Sequence, residues 1–318
     1  MSFGGYLTLD FGESNEFYHE SAARVNSARF GLELILKKNS FKKIYVPFFI
    51  CDVVLQPIKS AGIEVEFYRI SNEFFPVNVK LCENEVLLFV NYFGILDHQI
   101  KTVLASFDNV ILDLSQSFYS KFSKDQMCFY SARKFFGCPD GGLVYPNYSV
   151  DDLQISKSFD RMKHLIQRLD DENDLSYQYY IKNESLFDKD FLQKMSKLTT
   201  KILNCQNYKE VQKIRMNNFT NYHRYLKEMN ELTYIIDVEN MACPLTYPFL
   251  KKGNFSVKDK MIEQEIFLPT YWKNTIKPLG EDWFENHLRN NTLHLPLDQR
   301  ISQKDVEHII NVLFKLSD

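Results

Sequence analysis

Three stretches of the chain hold residue types that can do chemistry together. In CFYSARKFFGCPDGGLVY, residues 128–145, Lys134 follows a strand-like run and precedes Phe135 and Phe136. An amine at the end of a buried strand has its charged form disfavoured, so its pKa falls and it becomes nucleophilic. An imine-forming lysine needs that setting; a solvated loop lysine is the plainer reading. Gly141 and Gly142 would let the backbone pass close to something bulky. In NVILDLSQS, residues 109–117, the run VIL ends in Asp113, and Gln116 comes three residues later. A carboxylate at the C-terminal end of a buried strand stands at the mouth of an α/β sheet, where ligands bind. Asp113 then reads either as a cap or surface aspartate, or as the partner that keeps a pyridinium nitrogen protonated. The second role makes a pyridoxal ring an electron sink. In VNSARFGLELILKK, residues 25–38, Asn26, Ser27, Ala28 and Arg29 open a helix. Free N–H groups and the dipole at a helix N-terminus favour a phosphate, and Arg29 could add a charge-assisted bond. Ser or Asn before a helix is also an ordinary cap.

The surrounding elements are of the kind that positions such groups. SARFGLELILKK has apolar residues at helical spacing and ends in Lys-Lys. KIYVP, EVEFYRI, EVLLFVNYFG, NVILDLSQS, MCFYS and GLVYP read as strands, several of them apolar throughout. Runs this apolar predict a sheet covered on both faces, hence an α/β layer architecture. CDVVLQPIKSAG predicts a helix closed by Gly62 and bent by Pro57. After Pro146 the chain turns polar and helical. EVQKIRMNNFTNYHRYLKEMNEL, residues 210–232, predicts one long amphipathic helix with Val211, Ile214, Phe219, Tyr222 and Leu226 on one side. ACPLTYPFL, SVKDKMIEQ, IFLPTYW and LHLPL then suggest a second α+β portion, with IFLPTYW strand-like. The last helix, SQKDVEHIINVLFKL, is capped by Ser302 with Asp305 three residues on.

The chain has 318 residues, 45% hydrophobic and 25% charged, room for one large and one smaller domain. A formal charge of −3 gives no sign of a nucleic-acid binder. The 27 Phe and 18 Tyr suggest large cores and a sticky subunit interface. The six cysteines lie far apart with no C-x-x-C, five of them in or beside apolar runs where Cys acts as a small hydrophobe. No His has a neighbour at metal-ligand spacing, so no metal site is expected, and a reducing cytoplasm fits. MSFGGYLTLDFGESNEF lacks the basic and apolar regions of a signal peptide. VLLFVNYFGIL, the longest apolar stretch, is shorter than the ~20 residues of a membrane span.

Taken in order, a phosphate cradle, a strand-end Asp and a lysine about twenty residues on resemble a fold-type I pyridoxal-phosphate enzyme. More closely, the chain resembles the DegT/StrS family of nucleotide-sugar aminotransferases over most of residues 20–318. The family's S-G-T-A-A-L segment matches Ser27-Ala28-Arg29-Phe30-Gly31-Leu32. Its V-I-V-P strand matches Ile44-Tyr45-Val46-Pro47, leading to Phe48-Phe49-Ile50-Cys51. Its E-D-A-A-Q-A segment matches Leu112-Asp113-Leu114-Ser115-Gln116-Ser117. Its lysine followed by G-E-G-G matches Lys134 and Pro139-Asp140-Gly141-Gly142, and its L-P-L-H matches Leu295-Pro296-Leu297. The chain departs from the pattern in five places. Phe129 stands where the family has a phosphate-binding Ser, with Ser131 two residues later. Arg29 replaces Thr, and Asp140 replaces Glu. The family's N-Y-R segment has only YIKN, Tyr180–Asn183, as a nearest copy, and the N-terminal region near FGGY reads as short.

The resemblance implies a fold-type I PLP-transferase: a large domain, residues 1–205, with a mostly parallel sheet, and a smaller C-terminal α+β domain, residues 206–318. It implies pyridoxal 5'-phosphate as cofactor, bound covalently through Lys134, which would later move a proton. Asp113 would pair with the ring nitrogen and Gln116 would contact the ring or its phenolic oxygen. Phe49 or a neighbour would pack on the ring face. Ser27, Ala28 and either Ser131 or Arg29 would hold the phosphate. Family members that dehydrate carry His in place of this lysine, so Lys134 implies transamination, from glutamate to a keto sugar nucleotide, for surface polysaccharide. The resemblance further implies a homodimer, with no nucleic acid or membrane as partner. A degenerate, non-catalytic binding protein and a pyridoxal enzyme of another reaction class are the alternatives. His98 reads as a loop residue and His294 as structural. Trp272 reads as packing, and Arg133 as binding a substrate phosphate or pairing with a carboxylate.

Overall fold

The β-branched and aromatic runs become strands of one sheet, as their apolar character requires. The computed structural model describes residues 8–12, 14–170, 175–273, 275 and 279–317; the FGGY start lies outside them. The strands are β1 (Ala23–Val25), β2 (Lys43–Pro47), β3 (Glu64–Ile70), β4 (Pro76–Val77), β5 (Glu85–Val90), β6 (Val110–Asp113), β7 (Cys128–Ser131) and β8 (Gly142–Tyr145). They stand in the order β1-β8-β7-β6-β5-β2-β3-β4. β3, β2, β5, β6 and β7 run parallel, while β8 is antiparallel to both β7 and β1. Every residue of β6 and β7, and all of β5 after Glu85, is buried, which is the mark of a sheet covered on both faces.

The helices of this half are α1 (Ala28–Lys38), α2 (Leu55–Ala61), α3 (Asp97–Ser106), α4 (Lys163–Asp170), α5 (Leu175–Leu186) and α6 (Lys197–Asn204). α1 starts where Ser27 Oγ accepts a hydrogen bond from the Phe30 N–H at 3.5 Å. α2 ends at Gly62, whose φ of 70° suits a residue without a side chain. Pro57 falls in the first turn of α2, where its missing N–H removes no helical bond, so it helps start the helix instead of bending it. His98, expected in a loop, is an exposed residue of α3.

Beyond residue 205 come α7 (Tyr208–Leu226), β9 (Thr246–Leu250), α8 (Asn254–Glu263), α9 (Phe284–Asn291), β10 (Thr292–Pro296) and α10 (Gln303–Ser317). β9 and β10 pair antiparallel from Thr292 opposite Leu250 to Pro296 opposite Thr246. α7 buries Val211, Phe219, Tyr222 and Leu226 as its periodicity predicts; Arg215 and Asn218 lie buried with them. α10 opens with the reciprocal cap: Ser302 N–H donates to Asp305 Oδ2 at 2.8 Å, and Asp305 N–H to Ser302 Oγ at 3.3 Å. IFLPTYW is not a strand. Residues 266–272 have no ladder partner, and Ile266, Leu268 and Trp272 are instead tucked into the core. Trp272 takes a φ of 52°, which no extended strand allows.

Candidate functional site

The sheet order reverses between β2 and β5, and in an open α/β sheet such a reversal leaves a crevice at the carboxyl ends of the strands. Four chain segments leave the sheet there. Cys51 follows β2, Phe93 follows β5, Asp113 ends β6, and a single helical turn, Ala132–Lys134, follows β7.

Lys134 is at once exposed and deep. Water reaches its side chain, yet protein surrounds it at longer range, which places it on the floor of an open cleft. Its Nζ donates to Ser115 Oγ at 3.1 Å. Desolvation lowers the amine pKa; Asp113 and Cys51 oppose that, and Arg133 adds to it. Since water reaches the group, screening limits the shift. Asp113 is buried, and burial raises its carboxyl pKa against the pull of Lys134 and of Ser115. The Ser115 N–H donates to Asp113 Oδ1 at 2.9 Å. Lys134 and Asp113 therefore lie within electrostatic reach of each other, and each shift favours its neutral form.

Gln116 is buried, and its Oε1 accepts the Phe93 N–H at 2.6 Å. Gly94, at φ 82°, lies against the Gln116 carbonyl and Pro244 Cα, where a Cβ would collide. Gln116 thus shapes the turn after β5, and its Nε2 makes no hydrogen bond among the described residues.

Ser27, Ala28 and Ser131 come together through Gly142. A Cβ on Gly142 would stand 2.7 Å from the Ala28 nitrogen and closer still to the Ser27 carbonyl. Gly142 is also the register partner of Ser131. The close approach anticipated at Gly141-Gly142 is therefore to the peptide that opens α1. Gly141 needs its φ of 125°, with Thr199, Ala132 and Met195 packed around the space a Cβ would take. Asp140, in the acidic position before the glycines, is wholly buried. It accepts from Ser196 N–H at 3.1 Å, Ser196 Oγ at 2.9 Å and the Thr199 hydroxyl, tying the turn to the start of α6.

Arg29 turns elsewhere. Its Nη1 donates to Asp188 Oδ1 and Gln56 Oε1, each at 2.9 Å, and to the Phe187 carbonyl at 3.2 Å. Phe49 is buried against Tyr92 and Trp272, with ring centroids 5.4 and 4.8 Å away, and offers no free face to the cleft. Two residues on, half-buried Cys51 lies within electrostatic reach of both Lys134 and Asp113, with the Trp272 backbone bonded to it. Reading it as a small hydrophobe overlooked it; its place just after the β2–proline turn was the available signal. Arg133 pairs with Glu184 and covers the Phe187 ring at 4.3 Å. Trp272 is core packing among Phe49, Tyr92 and Phe93, and His294 is buried 4.6 Å from the Tyr271 ring. YIKN lies in α5, where Asn183 is buried with neither side-chain polar atom bonded.

Two cavities lie elsewhere. One of about 260 Å³ is lined by Tyr18, His19 and Tyr145, and one of about 470 Å³ by Arg24, Lys194 and Met195. Neither touches Lys134 or Asp113, so chemistry and not hollow volume locates the site. Among the described residues no cluster of His, Cys, Asp or Glu could hold a metal ion, and all six cysteines are free. No described helix is long and apolar enough to cross a membrane.

No family model matches the sequence, and no curated protein matches it. Solved structures do match. PseC from Helicobacter pylori, an aminotransferase involved in the biosynthesis of pseudoaminic acid, is 14% identical with a TM-score of 0.62, covering 93% of this chain and 86% of that one. A DegT DnrJ EryC1 StrS aminotransferase from Brucella abortus is 13% identical with a TM-score of 0.59, covering 92% and 85%. The PLP form of Spr1654 from Streptococcus pneumoniae is 14% identical with a TM-score of 0.63, covering 93% and 86%. At these identities the likeness speaks for architecture: the chain has the fold of the DegT/StrS-type sugar aminotransferases.

Proposed function

We propose that the chain is a pyridoxal-phosphate-dependent aminotransferase acting on a sugar nucleotide. The observation that carries this reading is the pairing of Lys134 and Asp113 in one cleft at the carboxyl ends of the strands. The residues present suit the cofactor. Ser131 and the start of α1 meet across Gly142, and a helix N-terminus beside a serine is chemistry that suits a phosphate. Asp113 is a buried carboxyl pushed upward by desolvation against the pull of Lys134, and a protonated ring nitrogen would bring it down further.

Bound there, pyridoxal phosphate supplies an aldehyde carbon and a ring that accepts electrons. Ser27, Ala28 and Ser131 would hold the phosphate end, and Asp113 would hold the opposite end by its charge. Lys134 Nζ, whose charged form desolvation disfavours, would serve as the amine that joins the cofactor and as the group that holds and moves a proton at the substrate carbon. The Ser115 hydroxyl accepts from that amine and keeps it aimed along the cleft. Glutamate as amino donor, and a product bound for surface polysaccharide in the cytoplasm, complete the reading.

Two domains, residues 1–205 and 206–318, are proposed too, supported by the separation of the eight-stranded sheet from the two-stranded sheet of β9 and β10. A homodimer is proposed as well. Phe159, Ile166, Leu169, Tyr177, Tyr180 and Ile181, on or beside α4 and α5, are exposed apolar side chains that a second copy would cover.

Purified protein mixed with pyridoxal phosphate should absorb visible light, and Lys134→Ala should lose that band. Protein that stays colourless with added cofactor refutes the reading. The commitment of Arg29 to Asp188, together with Phe129 in place of Ser, favours one second reading: a binding protein that kept the fold. Formation of pyridoxamine phosphate on adding glutamate rejects it.

A further inference from the structure

Arg215 is a cation in the wrong medium. It lies on α7 and is 1% exposed. Its Nη2 donates to the carbonyls of Leu245 at 2.8 Å and Pro244 at 3.4 Å, and Nη1 reaches Gln299 Oε1 at 3.5 Å. Among the described residues no carboxylate lies within 4.0 Å of it, and its Nε has no partner. Replacing buried charges by well-packed apolar side chains of similar volume is often neutral or stabilising. Stability alone does not account for a buried guanidinium here.

What it touches gives the account. Its guanidinium carbon stands 4.6 Å from the centre of the Phe135 ring. Gln299, which Arg215 also reaches, donates from Nε2 to the Phe135 carbonyl at 3.1 Å. Phe135 directly follows Lys134 and ends the turn that carries it. On its other side Arg215 holds residues 244 and 245. The Leu245 N–H donates to the Phe93 carbonyl at 3.1 Å, and the Phe93 N–H is the one Gln116 accepts. One buried cation therefore joins the segment ending in Lys134 to the turn packed on Gln116. Both Arg215 and Gln299 come from beyond residue 205, whereas Phe135, which both hold, belongs to the eight-stranded half.

We propose that Arg215 and Gln299 are positioning residues for Lys134: gripping ring and carbonyl of Phe135, they fix the turn that aims the amine into the cleft. The inference deepens the functional reading above and rests on it for the meaning of Lys134. Its geometry stands without a cofactor. The groups acting on the amine itself are Asp113, Cys51 and Arg133, from β6, the turn after β2 and the same helical turn. Those around Arg215 are Asp298, Tyr271, Tyr119 and Cys243.

The test uses the full chain without cofactor. Acetylation by acetic anhydride is followed across pH on the Lys134 peptide by mass spectrometry, with surface lysines as internal reference. In the wild type the Lys134 profile should lie below those of surface lysines. In Gln299→Met it should move up towards them, with labelling at neutral pH slowed about three- to tenfold, the range of one lost hydrogen bond. Arg215→Met, apolar and of similar reach, should fold and do the same. Folded variants whose Lys134 labels as in the wild type overturn the proposal, and so does a wild-type Lys134 that already labels like a surface lysine. Failure of the wild type to take up pyridoxal phosphate would sink the functional reading and leave this result standing.

Discussion

Acid should unfold this protein in part through one histidine. His19 is 1% exposed. Its Nε2 lies 2.7 Å from the Phe118 carbonyl, which can only accept, so that nitrogen carries the proton. Nδ1 then takes the Tyr145 hydroxyl at 3.3 Å. Desolvation outweighs the Phe118 bond, Lys121 adds to it, and the imidazole pKa falls to about 4. In the unfolded chain it returns to the ordinary imidazole value of 6.5. Between those two pKa values the unfolded chain binds more protons, so stability is whole above 6.5 and drains as pH falls towards 4. The gap corresponds to about 3 kcal/mol in total, and roughly 2.5 kcal/mol of it is lost by about pH 4.5. Against a typical stability of about 5–15 kcal/mol that is a large share. His19→Gln keeps a donor for Phe118 and removes the titration. Urea unfolding at about pH 7.5 and about pH 4.5 should show the wild type losing roughly 2.5 kcal/mol more than the variant. Parallel losses in the two proteins, or an imidazole NMR titration centred near 6.5, would refute the reasoning.

Two further outcomes are expected. Gly142→Ala drives a methyl into the Ser27–Ala28 peptide, which as backbone cannot step aside; unfolding should be easier by about 3 kcal/mol, and pyridoxal phosphate uptake weaker. The Cys51 thiol is raised by burial, so iodoacetamide should modify it slowly at neutral pH, and saturating pyridoxal phosphate should slow it at least about fivefold, read on the Cys51 peptide.

Sequence made the sheet legible wherever a strand is buried on both faces, because EVLLFV, VILD and CFYS leave little choice of environment. It also made legible that Asp113 and Lys134 come at the ends of such runs. Partners far off in the chain were not. Arg29 reads as a phosphate ligand until Asp188, 159 residues away, occupies its guanidinium. Arg215 falls on the apolar face of α7, where periodicity offers no reason for a charge; only the fold brings Phe135 and Gln299 to it. IFLPTYW has strand-like composition, but a strand exists only with a neighbour to bond, and none comes alongside.

The place of β1 has a consequence for how the molecule comes into being. Its partner β8 lies more than a hundred residues downstream, and contacts across so long a loop form late. The opening of α1 is pressed against Gly142 beside that same pairing, so the proposed phosphate site cannot form until the first and last strands of the sheet have paired. During synthesis the growing chain would display an incomplete edge and no working cleft. A ligand that fits there can bind only after closure, so it should slow reopening and leave the earlier collapse unaffected.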